Sequence, residues 1–318
     1  MLLLLLLAGR QELTVDRPML LPGVRLVERP GVLHFFDGRR VVSVRGDEAG
    51  RRAVREAIGV TAGVGGQPVD DARDLIDRLR LGTDDGLQDG HHGDPVALAA
   101  AFASASVAGW VSPLEAHEHL RGTDVHVWDV PGGALLATLS ESGLRCAAFS
   151  GPDQLGAVDP GRSVVVVAAS DEQPTRRLSE VNEACIAHGL TWLPVGAYDG
   201  AAIRVGPLMI PGQTACADCL LRRLAANVEY ADVYPEIADA PAAPTPPALR
   251  AWSHSVAALI LLRWVANHDV RLPGRLFTLV PDDLQIRQGT VYRVPRCGTC
   301  AAPDFVTAAA PWDIARDH

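Results

Sequence analysis

The chain has 318 residues, 48 % of them hydrophobic and 21 % charged, which is enough apolar material for two domain cores and too little charge for general disorder. Its formal net charge of −9 argues against a protein that coats nucleic acid. All 29 basic residues are arginine, so Schiff-base, general-base and phosphate-contacting lysines are excluded, and with them P-loop NTPases, serine–lysine hydrolases and pyridoxal-phosphate enzymes.

The first eight residues carry the run Leu2 to Leu7. A spanning helix needs about 20 apolar residues, and no basic stretch precedes the run as in a signal peptide. It reads as a short strand, a tail or an over-extended start, and the expectation is a cytoplasmic protein with no membrane partner. Residues 24–28, 32–36 and 40–44 read as short strands, punctuated by Pro30-Gly31 and by the hairpin signal Asp37-Gly38. Asp47 is placed to cap a helix running through Ile58, with Ala53, Val54, Ala57 and Ile58 apolar. A second helix is predicted over 70–80, where Ala72, Leu75, Ile76 and Leu79 follow helical spacing. Three strands plus helices within residues 10–90 predict a winged-helix-like module.

His91-His92-Gly93-Asp94 reads as a linker to a second domain over 94–318. An alanine-rich helix is predicted over 95–107, a strand over 125–130, a helix from Pro131-Gly132-Gly133 to Ser142, and a strand over 146–149. Residues 163–169 form a continuous apolar run, as in a strand buried on both faces. A helix over 178–188 ends at Gly189, and a strand covers 191–195. This alternation predicts a Rossmann-like α/β domain with a doubly wound parallel sheet. Residues 238–248 are too proline-rich for helix or central strand. An apolar helix over 252–265 follows, then short strands over 276–280, 284–287 and 290–294.

Cys216-Ala-Asp-Cys219 and Cys297-Gly-Thr-Cys300 are both CxxC pairs. Thiolates two residues apart can share one tight turn and face one ion, and two such turns complete a tetrahedral sulfur shell. The alternatives are two redox dithiols or four buried cysteines; the doubled spacing favours one structural Zn2+ bound by Cys216, Cys219, Cys297 and Cys300. Cys146 and Cys185 lack that spacing and read as core residues. The adjacent His91 and His92 do not converge on one ion, His117 and His119 face different ways on a helix, and His188 and His254 read as packing or capping residues.

The run Gly206-Pro-Leu-Met-Ile-Pro-Gly-Gln-Thr-Ala-Cys-Ala-Asp-Cys219 closely resembles a segment of ThiF-type, ubiquitin-activating-like adenylyltransferases. In that family it supplies half a zinc site and a C-terminal CxxC supplies the rest. The strand ending at Ser170-Asp171, the helix over 178–188 and Trp192-Leu-Pro-Val195 stand in the family's order. The resemblance covers residues 120–303. It implies an ATP-dependent adenylating enzyme as one reading, yet the phosphate-cradling turn reads Asp129-Val-Pro-Gly-Gly-Ala134, without the GxGxxG spacing. Asp171 matches the family's metal-binding aspartate, but Glu172 stands where an asparagine usually follows.

A winged-helix-like module ahead of a degenerate ThiF-type domain resembles the precursor-peptide recognition proteins of azole- and thiopeptide-forming pathways. That resemblance implies a non-catalytic subunit. The leader of a ribosomal precursor peptide adds as a strand to the module's sheet, and a YcaO-type ATP-dependent cyclodehydratase then forms azolines in the core peptide. The implied peptide-binding residues are Arg40, Val41, Val42, Ser43, Val44 and Arg45 on the edge strand and Arg73, Asp77 and Arg80 on the following helix. Residues 10–80 hold 13 arginines against 11 acids, a balance suited to an acidic leader, although any one of these arginines can simply be solvated. Duplex DNA is the competing partner of such modules, but Asp70, Asp71, Asp74 and Asp77 would face phosphates, so no nucleic-acid partner is expected. The resemblance to adenylating ThiF-type proteins, which are commonly dimeric, implies a homodimer.

Overall fold

The computed structural model describes residues 19–20, 24–36, 41–57, 82–83, 94–106, 111–129, 133–172, 174–241 and 244–301. The chain divides into two compact units, Met1–Gly93 with Ser112–Leu114, and Asp94–Val111 with Glu115–His318.

In the first unit, β1 (Met19–Leu20) is followed by β2 (Arg25–Arg29), β3 (Val32–Phe36), β4 (Val41–Arg45), α1 (Glu48–Ala57) and β5 (Gly82–Thr83). β2, β3 and β4 form an antiparallel sheet in chain order, and β1 pairs with β5. Pro30-Gly31 turns the chain between Arg29 and Val32, with Gly31 at φ +81°, where an L side chain is strained. Alternation sorts the side chains: Leu33 and Phe35 are buried, with Val42 and Val44 half-buried opposite them in register. Asp47 caps α1 as expected, its Oδ1 accepting from the Gly50 amide at 2.8 Å. Arg55 ties that helix to β2 through Glu28, at 2.8 Å. The helix predicted over 70–80, with Arg73, Asp77 and Arg80, lies outside the described residues, as do Arg40, His91 and His92.

The second unit contains α2 (Pro95–Ser106), α3 (Pro113–Gly122), β6 (Asp124–Trp128), α4 (Ala134–Glu141), β7 (Arg145–Ala148), a 3-10 turn at Pro152–Ala157, β8 (Ser163–Ala168) and α5 (Arg176–His188). It continues with β9 (Thr191–Val195), β10 (Ile203–Val205), α6 (Ala217–Ala225), α7 (Tyr234–Asp239), α8 (Pro247–Asn267), β11 (Arg275–Val280) and β12 (Gln285–Thr290). Seven strands form one sheet in the order β12-β11-β10-β9-β8-β6-β7. β7, β6, β8 and β9 are parallel, joined by crossovers, whereas β10, β11 and β12 are antiparallel. The sheet is therefore mixed, not wholly parallel as predicted. The connections after β9 and β11 are too short for a parallel return, so those strands must run antiparallel.

All six residues of β8 are buried, because both faces of the sheet are covered. Val165 and Val167 pack with Trp192, with Val181 and Cys185 of α5 and with Ala217 and Leu220 of α6. Val164 and Val166 point to the other face by alternation, and α8 packs on β9, β10 and α4. Cys185 is fully buried, as expected of a core residue; burial alone pushes its thiol up to about 12. Past α8, Asp269 keeps its side chain only 2 % exposed and accepts from Arg271 at 2.8 and 2.9 Å and from Arg263 at 3.0 Å. No helix among the described residues is long and apolar enough to cross a membrane.

Two boundaries differ from expectation. α8 begins at Pro247, inside the predicted proline loop, because proline at the first helical position lacks only an amide that would have had no partner. In place of the strands predicted over 284–287 and 290–294 there is one, β12, which pairs along its whole length with β11 despite Gly289 and ends at Thr290, leaving 291–294 outside any strand.

Candidate functional sites: a four-cysteine centre, a filled crevice and an open edge

The two CxxC pairs converge. Cys216 is the N-cap of α6 and Cys219 lies in its first turn, so both thiols leave the same helix start. Cys297 and Cys300 lie on the turn after β12, where the Cys297 amide donates to the Val294 carbonyl at 3.1 Å. The four sulfurs lie within 4.8 Å of one another, with Cys216 and Cys297 Sγ at 3.8 Å and Cys219 and Cys300 Sγ at 3.6 Å. A tetrahedral ion with metal–sulfur bonds of about 2.3 Å requires sulfur–sulfur edges of about 3.8 Å, so the cage has the size of one such ion. The four thiols are free in this structure.

The cage is dry and braced. Cys216, Cys219 and Cys297 are buried among Ala215, Ile186, Val291 and Val294. Val294 donates its amide to Cys219 Sγ at 3.2 Å, an interaction that favours a thiolate. Burial opposes ionisation of Cys297, but the amides of Cys300 and Thr299 and the thiols of Cys219 and Cys216 outweigh it and hold the group down at about 7. Burial pushes Cys216 up. Asp218, inside the first pair, accepts from the Thr299 hydroxyl inside the second, clipping the two turns together. Because Cys216 supplies no side-chain cap to α6, the buried Asn182 of α5 does so, its Oδ1 accepting from the Ala217 amide at 3.0 Å. These residues can hold one thiophilic metal ion.

In an open α/β sheet, ligands bind outside the carboxyl ends of the strands where the strand order reverses, here between β6 and β8. This chain's own side chains take up part of that place, beside an open pocket of about 390 Å³ lined by Trp128, Ser170, Glu172, Arg176, Arg177 and Glu180. Asp129 Oδ2 accepts from the Leu135 and Leu136 amides at the start of α4, at 2.7 and 3.0 Å. A carboxylate thus takes the amides that a phosphate would use. Arg177 Nη1 donates to the carbonyls of Asp129 and Ala168, both at 3.1 Å, bridging the ends of β6 and β8, and its guanidinium lies 4.6 Å from the Trp128 ring centroid. Asp171 accepts from the Thr245 hydroxyl at 2.9 Å and from Arg250 at 3.0 Å. Burial lowers the affinity of His254 for a proton, with Asp129 pulling the other way. The space left among Ala169, Asp171, Val195, Thr245, Arg250 and His254 is about 20 Å³, room for about one water. The α5 start is filled likewise: Asp239 of α7 accepts from the Thr175 hydroxyl at 2.6 Å and the Arg176 amide at 3.2 Å.

In the first unit, β4 pairs with β3, and among the described residues no strand pairs with its other side. Val41 is 60 % exposed, Ser43 and Arg45 are exposed, and His34 Nδ1 lies 2.9 Å from Ser43 Oγ. Of the expected peptide-contacting residues, the structure places Val41, Val42, Ser43, Val44 and Arg45 on this one strand. Three further histidines make structural contacts: His119 Nδ1 lies 2.8 Å from the Ala266 carbonyl and its ring stacks on His268, and His117 lies 3.7 Å from Asp94. Thr245, Arg250, Arg177 and Asn182 escaped the sequence reasoning. Only Asn182 left a signal, a polar residue on the buried stripe that includes Val181 and Cys185.

A seven-stranded mixed sheet flanked by helices, with paired cysteines clipping α6 to the end of β12, is the Rossmann-like architecture of ThiF-type proteins. No family model and no curated protein matches the chain. Among solved structures it is similar to a heterocyclase in complex with substrate and cofactor, with a TM-score of 0.64 and 19 % identity over 91 % of this chain and 40 % of that one. It is similar to the heterocyclase TruD, with a TM-score of 0.60 and 17 % identity over 90 % of this chain and 43 % of that one. The microcin C7 biosynthetic enzyme MccB, solved with N-formylated MccA, gives a TM-score of 0.55 and 14 % identity over 89 % of this chain and 99 % of that one. At these identities the likeness is one of fold, shared with ThiF-like proteins of peptide modification. The chain spans less than half the length of the two heterocyclases.

Proposed function

We propose that this chain is the leader-peptide-binding subunit of a heterocycle-forming complex in ribosomal peptide natural-product biosynthesis, of the thiopeptide and azole type. The observation that carries the proposal is the edge of β4, an extended strand that among the described residues has a neighbour on one side only, with Arg45 at its end. A leader adding there gains backbone hydrogen bonds for affinity and alternate side-chain contacts for specificity. Residues 10–90 act as the winged-helix-like recognition module, and Arg40, Arg73, Asp77 and Arg80 contribute to peptide binding. Residues 94–318 serve as scaffold, and Cys216, Cys219, Cys297 and Cys300 hold Zn2+, whose role is to join two segments of that scaffold. The cyclising activity is supplied by a YcaO-type cyclodehydratase partner. The complex works in the cytoplasm, without nucleic acid or membrane.

The chain's contribution is binding rather than adenylation, because the groups an adenylating site would use are engaged internally. Asp129 fills the phosphate position and Arg250 neutralises Asp171. Pyrophosphate exchange into ATP is expected to stay at background for the wild-type chain and for Asp171→Ala alike. Exchange that is lost in Asp171→Ala would establish the adenylating reading instead. For the binding reading, a synthetic leader from the adjacent precursor gene is expected to bind the full chain with a Kd of about 1 µM or tighter, near −8 kcal/mol. The double substitution Val41→Asp, Arg45→Glu is expected to weaken binding at least tenfold, whereas Arg287→Glu on β12 leaves it unchanged. Equal affinity for all three chains would sink the assignment to β4.

A further inference from the structure

The connection from α6 to α8 presents an apolar face to solvent. Residues 224–249 hold four acids and no basic residue. The middle of this stretch is wound as a helix from Tyr230 onward. The Val233 amide donates to the Tyr230 carbonyl at 3.2 Å, and the Ile237 amide, inside α7, donates to the Val233 carbonyl at 3.1 Å. Tyr230, Val233, Tyr234 and Ile237 thus stand at i, i+3, i+4 and i+7 and share one side of the turn. Tyr230, Val233 and Ile237 are 49 %, 39 % and 53 % exposed, and the Tyr230 and Tyr234 rings stack with centroids 6.5 Å apart. Glu229, Asp232 and Glu236 each immediately precede one of the three exposed anchors, so they form a second exposed row about 100° around the helix. None of these three acids has a hydrogen-bond or ion-pair partner among the described residues.

The face stands on a fixed base. Asp239 ties the end of α7 to the start of α5 through Thr175 and Arg176, α7 packs on α6, and Pro235 presets its first turn. A stripe held this firmly loses little freedom when a partner covers it. Its spacing is that of an amphipathic helix received by an apolar groove, and tyrosine is enriched at the energetic centres of interfaces. The unpaired acid row then selects among grooves. Arginine or lysine along one rim complements it, whereas an acidic rim is repelled.

We propose that residues 229–239 form the docking surface for the cyclodehydratase partner, which receives Tyr230, Val233 and Ile237 in an apolar groove and lines Glu229, Asp232 and Glu236 with a basic rim. This rests on the reading of the chain as the non-catalytic subunit of a complex, and it supplies the place where the catalytic subunit attaches. Because Asp239 bonds to Arg176, a docked partner borders the open pocket that Trp128, Arg176 and Arg177 line. Binding on the acid row falls with salt, while the apolar anchors set how long the complex lasts.

The test uses the full chain and the purified cyclodehydratase encoded beside it, with affinities read by bio-layer interferometry. Val233→Arg with Ile237→Arg is expected to weaken cyclodehydratase binding by about thirtyfold or more, the loss typical of removing interface anchors. Asp232→Arg with Glu236→Arg, which alters only exposed charges, is expected to weaken it by about tenfold or more and to remove most of its salt dependence. Both variants are expected to keep the wild-type circular dichroism spectrum, Tm and leader affinity. If the first variant unfolds, the second decides. No detectable cyclodehydratase binding by the wild type, or equal binding by the wild type and the folded variants, overturns the docking surface. Leader binding on the same preparations separates that failure from a failure of the β4 assignment, which would abolish leader binding and leave the cyclodehydratase bound.

Discussion

With Zn2+ in the four-cysteine cage as proposed, Cys297→Ser is expected to strip that metal and to lower the Tm of the second unit by roughly 10 °C or more. A structural Zn2+ in a thiolate cage contributes apparent binding free energies of about 10–16 kcal/mol in isolated zinc-finger peptides, and that energy is available only to the folded state. A loss of even about 4 kcal/mol corresponds to roughly 8–16 °C in a unit of this size. The cage joins Cys216 and Cys219 on α6 to Cys297 and Cys300 beyond β12, a separation of 81 residues between facing cysteines. Its opening therefore frees the chain end from the helix layer. Metal content per chain after dialysis, read by atomic emission alongside a calorimetric scan, checks the result. One zinc per chain in the wild type and much less in Cys297→Ser is expected; full retention in the variant would show that the ion is held elsewhere. Peptide binding by the first unit should persist in the variant at temperatures where the second unit remains folded.

The second large effect is expected at Asp269. Burial opposes ionisation of this carboxyl, and the hydrogen bonds from Arg271 and Arg263 overcome it, holding the group down at about 2. Asp269→Ala removes the shared acceptor of Arg263 and Arg271, but those side chains are 30 % and 57 % exposed and are screened by water, so the expected cost is about 1–3 kcal/mol. The carboxyl is depressed in the folded chain, so its contribution is complete above the ordinary carboxylate pKa near 3.8 and is lost as pH falls from there through about 2. The amount at stake in that window is about 2 kcal/mol. Urea unfolding between pH 5 and 2 is expected to show this loss in the wild type, and Asp269→Asn is expected to remove that share of the slope. Identical slopes would place the acid sensitivity in other carboxylates.

Much of the second unit was legible because its signals are local. β8 announces itself as an apolar run since both faces are covered, and the cysteines announce themselves by spacing. The α1 cap at Asp47 is three residues from the amide it accepts from, well within reach of sequence reasoning. What stayed hidden is non-local or too short. β10 has three residues, too few for a period. Whether Asp171 was a metal ligand or a structural residue depended on Thr245 and Arg250, 74 and 79 positions away in the chain. The sheet direction changed after β9 because of connection lengths rather than strand composition, so alternating elements alone suggested too much parallel pairing.

The starts of α4, α5 and α6 share a property with consequences for how the second unit becomes ordered. None has a side-chain cap from its own N-cap residue; the acceptors are Asp129 at the end of β6, Asp239 on α7 and Asn182 on α5. Each first turn thus closes only when a neighbouring element has arrived. A nascent helix of eight to thirteen residues is marginal in water, and here it lacks even the local device that would fix its first turn. Order cannot accumulate one helix at a time. The helices and the sheet ends must condense together, and a change at any one of those three acceptors is felt at a helix that does not contain it.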